Sequence, residues 1–312
     1  MGFFGGRTHS IRLKEDGSVW CFGRQDSGQL GIQPANSTLP QLVDTLPQIV
    51  SISCGGNFTV CADSNGIVWS FGDNKRGQLG LGDHQKRKGP QIVRGMPKVV
   101  SVHCGGYHTI CLDHINTAWS FGRNNHGQLG VGDAQDRLIP TAISFRGIRP
   151  GFCPGFSTNI IDINGNILAA GRNSDGQLGV GDREQKNSFT VIPNFSNISH
   201  IAGGLYHTIY LSYSGDVFGA GKNTNGELGL LESEQGETTP RMIPDLTDVL
   251  QIACGYNHTV CIDSSGIVWV FGRNSHGQLG SGDTENRLIP TQVQEINKAA
   301  SVCCGGFHTL VS

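Results

Sequence analysis

The sequence predicts an all-β protein, a β-propeller of six repeats of about 50 residues that form one domain over residues 1–312. Three observations predict this fold. A Gly-Gln/Glu-Leu-Gly tetrapeptide recurs along the whole chain, a second motif precedes each copy at a fixed distance, and the intervening segments have strand patterns with no helical period. The 46 glycines fit a fold with many tight turns, because glycine inside a helix is unfavourable.

The two recurring motifs set the register of the repeats. The tetrapeptide begins at Gly28, Gly77, Gly127, Gly176, Gly226 and Gly277. The second motif is Gly-Gly-aromatic-His-Thr in its fullest form, and its histidine position lies 19 residues before each of those glycines. That position holds His9, Phe58, His108, Ser157, His207 and His258, and a seventh copy holds His308. Two motifs in constant phase indicate a repeat architecture.

Each repeat contains four predicted strands. The first is apolar and ends at a glycine pair, as in residues 99–106, and the second starts at the histidine position, as in 108–112. The third is a Val-Trp-x-Phe-Gly segment, as in 68–72, and the fourth follows a proline, as in 90–93. An Asp-x-x-Gly segment typical of a type I turn separates the second strand from the third. Four antiparallel strands in each repeat are typical of a propeller blade.

The predicted strands are compatible with two numbers of blades. The third and fourth strands occur six times each, the second occurs seven times, and the first occurs six times with a short extra segment at 3–6. A ring of six four-stranded blades is favoured, because it uses all but one strand and lets the chain ends overlap. An incomplete seven-bladed ring is the alternative, and it leaves strand edges that need cover.

The combined motif resembles the repeat of the regulator of chromosome condensation family, the RCC1-like repeat. It reads Gly-x-x-His-Ser/Thr, then Asp-Gly-x-Val-Trp-x-Phe-Gly-x-Asn-x-x-Gly-Gln-Leu-Gly-x-Gly-Asp, then a proline, and it covers essentially the whole chain. The resemblance implies a propeller. It also implies an alternative function, because the founding member is similar to a guanine-nucleotide exchange factor for the GTPase Ran. That activity relies on a wedge inserted in one blade, and the constant 19-residue spacing shows no such insertion.

A plant UV-B photoreceptor of the same fold has a tryptophan cluster in a Gly-Trp-Arg-His-Thr motif. The equivalent positions here hold Gly56, Gly106, Leu205 and Tyr256, so the resemblance does not predict a photoreceptor.

The repeated histidines, cysteines and tryptophans are interpreted as scaffold. Equivalent positions in different blades are spread around a ring, and Phe58 and Ser157 replace histidine in the same column, so the histidines are expected to form hydrogen bonds between or within blades. The cysteine columns are expected to be small packing residues; they hold Cys54, Cys104, Cys153, Cys254 and Cys304, and Cys61, Cys111 and Cys261. The tryptophan column is expected to pack in the core; it holds Trp20, Trp69, Trp119 and Trp269.

A Gly-Asp pair follows most copies of the tetrapeptide, and a basic residue lies four positions after its aspartate. An ion pair between neighbouring blades is the expected role of these residues; they are Asp83, Asp133, Asp182 and Asp283 with Arg87, Arg137, Lys186 and Arg287.

Composition and motifs argue against several classes of function. The net charge of −2 provides no general basic surface for nucleic acid, so direct nucleic-acid binding is not expected. No apolar segment approaches the roughly 20 residues of a membrane helix, and the N-terminal residues do not resemble a signal peptide. Phosphate-loop, nucleophile-elbow and zinc-protease motifs do not occur. We therefore expect a non-enzymatic, intracellular protein, cytoplasmic and/or nuclear, with no catalytic residue, metal or cofactor.

Strand direction identifies a candidate binding face. With strands that run up, down, up and down, the first–second loop and the third–fourth loop emerge on the same face. Aromatic residues occupy the first of these loops, at Tyr107, Phe156, Tyr206, Tyr256 and Phe307. Basic residues occupy the second, at Arg24, Arg123, Arg172, Lys222 and Arg273. Aromatic residues and arginine are enriched at protein–protein interfaces, so the predicted function is a protein-interaction scaffold whose partner is another protein, with a small GTPase as the alternative partner.

The competing interpretation of this face is structural. In that case the aromatic rings pack under neighbouring loops, and the arginines pair with the aspartates of the Gly-Asp pairs.

Overall fold

Antiparallel sheets make up the described chain. The computed structural model describes residues 2–32, 36–146, 155–231, 233, 235–296 and 298–312, which form 25 strands and no helix. No helix with the length and hydropathy to cross a membrane occurs in these residues.

The strands of the first three repeats form blades one to three. Blade one contains β1 (Gly2–Gly5), β2 (His9–Leu13), β3 (Val19–Gly23) and β4 (Ser37–Leu42). Blade two contains β5 (Ile49–Cys54), β6 (Phe58–Asp63), β7 (Val68–Gly72) and β8 (Arg87–Val93). Blade three contains β9 (Val99–Cys104), β10 (His108–Asp113), β11 (Thr117–Gly122) and β12 (Arg137–Arg146).

The other three repeats form blades four to six. Blade four contains β13 (Ser157–Ile161), β14 (Ile167–Gly171) and β15 (Lys186–Val191) within the described residues. Blade five contains β16 (Ile198–Gly203), β17 (His207–Ser212), β18 (Val217–Gly221) and β19 (Glu237–Met242). Blade six contains β20 (Val249–Cys254), β21 (His258–Asp263), β22 (Val268–Gly272) and β23 (Arg287–Gln292).

The predicted propeller of six repeats is confirmed. Within every blade each strand pairs antiparallel with the next strand along the chain. Asp-x-x-Gly forms the turn after the second strand, as predicted; the Gly66 amide donates to the Asp63 carbonyl at 2.9 Å. Asp63 Oδ1 accepts two further backbone amides, which fixes the start of the third strand.

The last strands of the chain close the ring. β24 (Val302–Cys304) and β25 (Thr309–Val311) form a two-stranded sheet, named here the closing sheet. It lies between blade six and blade one, because β24 contacts both β20 and β1. The ring therefore has seven positions. Six hold the predicted blades, and the closing sheet occupies the remaining one with two strands.

A circle of backbone hydrogen bonds connects the seven positions around the axis. The donor of each bond is the backbone amide of the residue two positions before the histidine column. The acceptor is the carbonyl of the equivalent residue in the next position of the ring, or of the residue directly before that one, and the N···O distances are 2.9–3.1 Å. The donor amides belong to Arg7, Gly56, Gly106, Gly155, Leu205, Tyr256 and Gly306, and the Gly306 amide returns to the Gly6 carbonyl. The inner rim of the propeller is thus a closed polar ring that does not depend on side chains.

The hydrophobic core lies between neighbouring blades. One cluster joins Ile11 and Leu30 of blade one to Ile52 and Phe71 of blade two, and all four side chains are buried. The aromatic ring of Phe71 lies against Gly31, where a Cβ atom would come within 2.8 Å of it. Burial of one large apolar side chain contributes roughly 1.5–3 kcal/mol, so these contacts stabilise the packing of blade on blade.

Candidate protein-binding face

The histidine column connects neighbouring blades, as predicted. His108 Nε2 lies 2.8 Å from the Thr158 hydroxyl of the next blade, and that hydroxyl donates to the Gln128 carbonyl at 2.7 Å. His9, His207 and His258 make the same contact at 3.1–3.2 Å, and His308 reaches Ser10 at 3.0 Å. Because the proton of each of the four threonines is donated to a carbonyl, Nε2 of the histidine is the donor in the four threonine contacts. The column is structural.

Burial keeps these rings neutral. Desolvation lowers the pKa of His9, His108 and His207 to about 3 and that of His258 to about 4. The Nδ1 atoms of the same four residues are buried without a hydrogen-bond partner among the described residues. A neutral ring with only Nε2 protonated satisfies the observed contacts, whereas a second proton on Nδ1 would have no acceptor.

The cysteines are packing residues, as predicted. Cys61, Cys111 and Cys261 are buried, and burial raises the pKa of the Cys104 thiol to about 12. Cys153 lies outside the described residues. Four cysteines of the first column border a central cavity of about 70 Å³ whose wall is mostly glycine pairs.

The tryptophans are half-buried at the blade surface. Trp69, Trp119 and Trp269 pack against three different core clusters, in agreement with the prediction. Their Nε1 atoms donate at 3.0–3.2 Å to the aspartates that begin the turns between the second and third strands, a role that the sequence does not indicate.

The Asp–Arg prediction needs a correction. The ion pairs form, but within one loop of one blade: Arg87 contacts Asp83 at 2.6 Å, and Arg137 contacts Asp133 at 2.6 Å. Lys186 and Arg287 make the equivalent contacts. Three residues separate the aspartate from the basic residue, so the nearest opposite charge lies in the same loop and no contact between blades is needed. The hydrogen bond from Arg87 lowers the pKa of Asp83.

The two predicted loops share one face of the propeller, named here the loop face. The amides of the basic column donate to the carbonyls of the aromatic column in the same blade. The Arg123 amide bonds the Tyr107 carbonyl at 2.9 Å, and the Arg172 amide bonds the Phe156 carbonyl at 3.0 Å. The same bond recurs from Lys222 at 2.8 Å. The side chains of both columns therefore leave the backbone side by side.

One aromatic cluster lies on blades three and four. Tyr107 and Phe156 stack with their ring centroids 6.1 Å apart, and the His126 ring approaches the edge of Phe156. The Arg123 guanidinium lies over both rings, 5.7 Å from Tyr107 and 5.4 Å from Phe156. Burial and the neighbouring positive charge of Arg76 lower the pKa of Arg123. This part of the loop face combines apolar area with concentrated positive charge.

Tyr206 is placed between two cations. The guanidinium of Arg172 lies 4.7 Å from its ring centroid, and the ammonium of Lys222 lies 5.6 Å away. Cations over aromatic faces contribute about 0.5–1 kcal/mol each at exposed sites, which holds these side chains in place.

A second aromatic cluster lies where the ring closes. Tyr256 and Phe307 meet edge to face with centroids 5.2 Å apart, and His276 lies 5.5 Å from Phe307. Arg7 lies over Phe307 at 5.9 Å and is exposed. The sequence analysis missed Arg7. Arg7 occupies the second glycine position of the first repeat, which is the position that Tyr256 occupies in the sixth. A comparison of this position in all repeats, including the first, would have identified it.

The structural interpretation of this face is wrong for the arginines. The rings are half-buried, and two pairs of them are in contact, Tyr107 with Phe156 and Tyr256 with Phe307. The arginines do not pair with the Gly-Asp aspartates, which bind the other basic column. Instead the Nε atoms of Arg123, Arg172 and Arg273 donate to the polar residue two positions later, at 2.6–2.8 Å. Arg24 lies apart from the clusters, paired with Asp26.

Among the described residues no group of three or more histidine, cysteine or acidic side chains could hold a metal ion. The loop face presents cations beside half-buried aromatic rings, and aromatic residues and arginine are enriched at protein–protein interfaces.

Comparison with known proteins supports this fold. A family model described as an RCC1-like domain matches residues 5–311. HERC4 of Rattus norvegicus, described as a probable E3 ubiquitin-protein ligase, is 33% identical over 116 residues, which cover 36% of this chain and 11% of HERC4. The ultraviolet-B receptor UVR8 of Arabidopsis thaliana is 34% identical over 83 residues, which cover 24% of this chain and 19% of UVR8. The matched segments are thus a small part of these relatives.

Solved structures share the architecture over nearly the full chain. Prp20p of Saccharomyces cerevisiae superposes with a TM-score of 0.90 at 22% identity, covering 99% of this chain and 81% of that chain. Human WBSCR16 superposes with a TM-score of 0.88 at 23% identity, covering 100% of this chain and 85% of that chain. At this level of identity the likeness concerns the fold.

Proposed function

The chain belongs to the RCC1-like domain family, and on that premise we propose that it is a non-enzymatic scaffold that binds another protein through the loop face. The observation that carries this proposal is the arrangement of cations over aromatic rings at Tyr107, Phe156 and Tyr206. Such groups of rigid aromatic and arginine side chains dominate the binding energy of many protein interfaces.

The charge of the loop face favours an acidic partner surface. Arg123 and Arg273 use Nε for a bond within their own loop, and within the described residues no hydrogen bond engages their terminal nitrogens. Those nitrogens can donate to a carboxylate in pairs, which gives both affinity and orientation. Arg7 and Arg76, both exposed, extend the positive surface on either side.

An intracellular location, cytoplasmic and/or nuclear, is part of the proposal. Apart from Cys111, the described cysteines are free thiols, which is typical of proteins from reducing compartments.

Charge reversal on the loop face tests the proposal. The triple variant Arg123→Glu, Arg172→Glu and Arg273→Glu is used beside the wild type for affinity capture from native cell extract, with quantitative mass spectrometry. The matched control reverses Arg94 and Lys98, two exposed residues in the loop before β9, which the strand order places on the opposite face. We expect the loop-face variant to lose the partner at least tenfold while the control retains it. Equal capture by both variants contradicts the proposal.

Guanine-nucleotide exchange on a small Ran-like GTPase is the second candidate. It is considered because the structure of Prp20p, which superposes over 99% of this chain, is described with the binding of that protein to Gsp1p and histones. Release of a fluorescent GDP analogue from a panel of small GTPases distinguishes the candidates. A pure scaffold leaves the release rates unchanged, and a rise of tenfold or more for one GTPase would favour exchange activity.

A further inference from the structure

Three side chains replace glycine at the inner rim of the propeller. Glycine supplies the amides of the backbone ring in blades two, three and four and in the closing sheet, whereas Arg7, Leu205 and Tyr256 supply the others. The central cavity lies at this rim, and all of its described lining residues except Arg7 and Tyr256 are glycine or cysteine. The polar side-chain chemistry at the axis of the loop face therefore comes mainly from Arg7 and Tyr256.

Tyr256 reaches across the propeller axis. A Cβ atom added to Gly56 of blade two would lie 3.9 Å from the Tyr256 hydroxyl, and one added to Gly306, between β24 and β25, would lie 3.1 Å from the Tyr256 ring. Blade two is three positions away from blade six, which is the greatest separation in a ring of seven. The Tyr256 side chain thus spans the mouth of the central cavity. Within the described residues its hydroxyl has no hydrogen-bond partner.

Two further polar groups lie near the Tyr256 hydroxyl. Burial raises the pKa of Tyr256 to about 12, the positive charge of Arg7 acts in the opposite direction, and the phenol of Tyr107 raises it further. The hydroxyl therefore keeps its proton at neutral pH and can donate a hydrogen bond. We call Arg7, Tyr107 and Tyr256 the axial site.

Aromatic contacts hold the side chains of the axial site in place. The Arg7 guanidinium lies 5.9 Å from the ring centroid of Phe307, and the Tyr256 ring meets the same ring edge to face at 5.2 Å. Tyr107 is stacked on Phe156. These groups have lost much of their rotamer freedom before a ligand arrives, which reduces the entropy cost of binding. In the described part of the chain Arg7 has no ion pair, so its charge is available to a ligand.

We propose that the axial site binds one acidic side chain of the protein partner, with its carboxylate on the propeller axis between Arg7 and the hydroxyls of Tyr256 and Tyr107. This inference rests on the proposed binding of a protein at the loop face. The axis lies between the two aromatic clusters, so a partner surface that covers both clusters also covers the axis. A side chain of that surface, rather than a chain end, is the group that meets the axial site.

The charge of the axial site favours a carboxylate over a phosphate. One guanidinium offsets one negative charge, and the two hydroxyls donate hydrogen bonds without adding charge. A phosphate ester carries about 1.5–2 negative charges at neutral pH and requires a second cation. Arg123, the cation beside Tyr107, is directed to the rings of Tyr107 and Phe156.

A small acidic probe tests the axial site in the full chain. N-acetyl-glutamate N-methylamide is titrated into protein labelled with carbon-13 at the tyrosine Cζ atoms, which gives five signals that Tyr→Phe variants assign. We expect saturable shifts of the Tyr256 and Tyr107 signals with a Kd of about 1–10 mM, as for one charge-assisted contact. The glutamine analogue, which has the same shape without the charge, is expected to leave both signals unchanged.

Arg7→Gln should weaken binding of the probe at least about tenfold, because the counter-charge is lost. The matched control is Arg94→Gln, an exposed arginine in the loop before β9, which should leave the affinity unchanged. The proposal is overturned if no saturable shift of Tyr256 occurs up to about 100 mM probe, or if the glutamine analogue or the Arg7→Gln variant binds as the wild type binds glutamate. Tighter binding of inorganic phosphate or of N-acetyl-alanine, whose carboxylate is a chain end, also overturns it.

Capture of the partner separates this proposal from the proposed function. We expect Tyr256→Phe and Arg7→Gln to reduce capture of the partner. If both variants retain the partner while the triple charge-reversal variant loses it, the axial site is refuted and the loop face remains the binding surface. If the probe binds at Tyr256 but the triple variant retains the partner, the proposed function fails and the carboxylate site remains.

Discussion

Replacement of His108 by glutamine tests how the blades are joined. His108 is fully buried, its Nε2 is 2.8 Å from the Thr158 hydroxyl, and its pKa is lowered to about 3 by desolvation. An unfolded chain protonates this ring near the ordinary value of 6.5. Since the folded pKa is the lower one, the stability contributed by the neutral ring is complete above pH 6.5. It is lost progressively as the pH falls towards 3, because the unfolded state takes up the proton first.

The size of the effect follows from these two pKa values. At pH 5 the unfolded state gains about 2 kcal/mol from protonation of one such histidine, while the folded state gains almost nothing. Loss of the contact itself costs about 1–3 kcal/mol at any pH. We therefore expect the His108→Gln variant to have a lower free energy of unfolding than the wild type at pH 7.5. At pH 5 the difference in free energy of unfolding between the two proteins should be smaller by about 2 kcal/mol.

Urea denaturation of both proteins at pH 7.5 and pH 5 measures this gap. The control variant is His84→Gln, which changes an exposed histidine outside the histidine column and is expected to keep the same difference from the wild type at both pH values. An unchanged gap for His108→Gln between the two pH values would refute the account of a buried neutral ring.

Two further predictions concern the scaffold. Gly105→Ala should lower the free energy of unfolding, measured by urea denaturation, by about 1–3 kcal/mol, because the added Cβ atom would lie 2.1 Å from the His108 ring. The control Gly2→Ala, whose Cβ atom would meet nothing within 4 Å, should leave the free energy of unfolding unchanged. Similar losses of stability for both variants would contradict the packing argument. Arg87→Ala should raise the pKa of Asp83 in an NMR titration and change stability by about 1 kcal/mol or less, because the pair is partly exposed; an unchanged Asp83 titration would show that the ion pair does not form in solution.

The fold was predictable because its signals repeat. Any single strand of this chain is ambiguous, yet the motifs at Gly28 and His9 return in phase and fix both the strand order and the shared face. Whether Asp83 pairs with Arg87 of its own loop or with a residue of the next blade was not predictable in the same way. The sequence gives a spacing of four residues, but the backbone conformation of the loop decides whether the two side chains meet.

The candidate binding site was predictable only as a set of columns. The sequence places Tyr107 and Phe156 in equivalent positions of two repeats, and it cannot tell that neighbouring blades bring the two rings to 6.1 Å. The cluster of Tyr256 with Phe307 depends on ring closure, which joins the sixth repeat to the last residues of the chain. Such contacts depend on blade geometry, because residues about 50 positions apart become neighbours only after the ring forms.

The closed backbone ring explains how the loop face can vary without loss of the fold. Arg7, Leu205 and Tyr256 replace glycine at its inner positions, and their amides still make the bonds that glycine amides make in the other blades, at 3.0–3.1 Å. The connection between blades therefore resides in main-chain atoms and in the buried histidine contacts, while the side chains at these positions can vary. Substitutions such as Arg123→Glu should for this reason alter partner binding far more than stability, whereas substitutions beneath the ring should do the reverse.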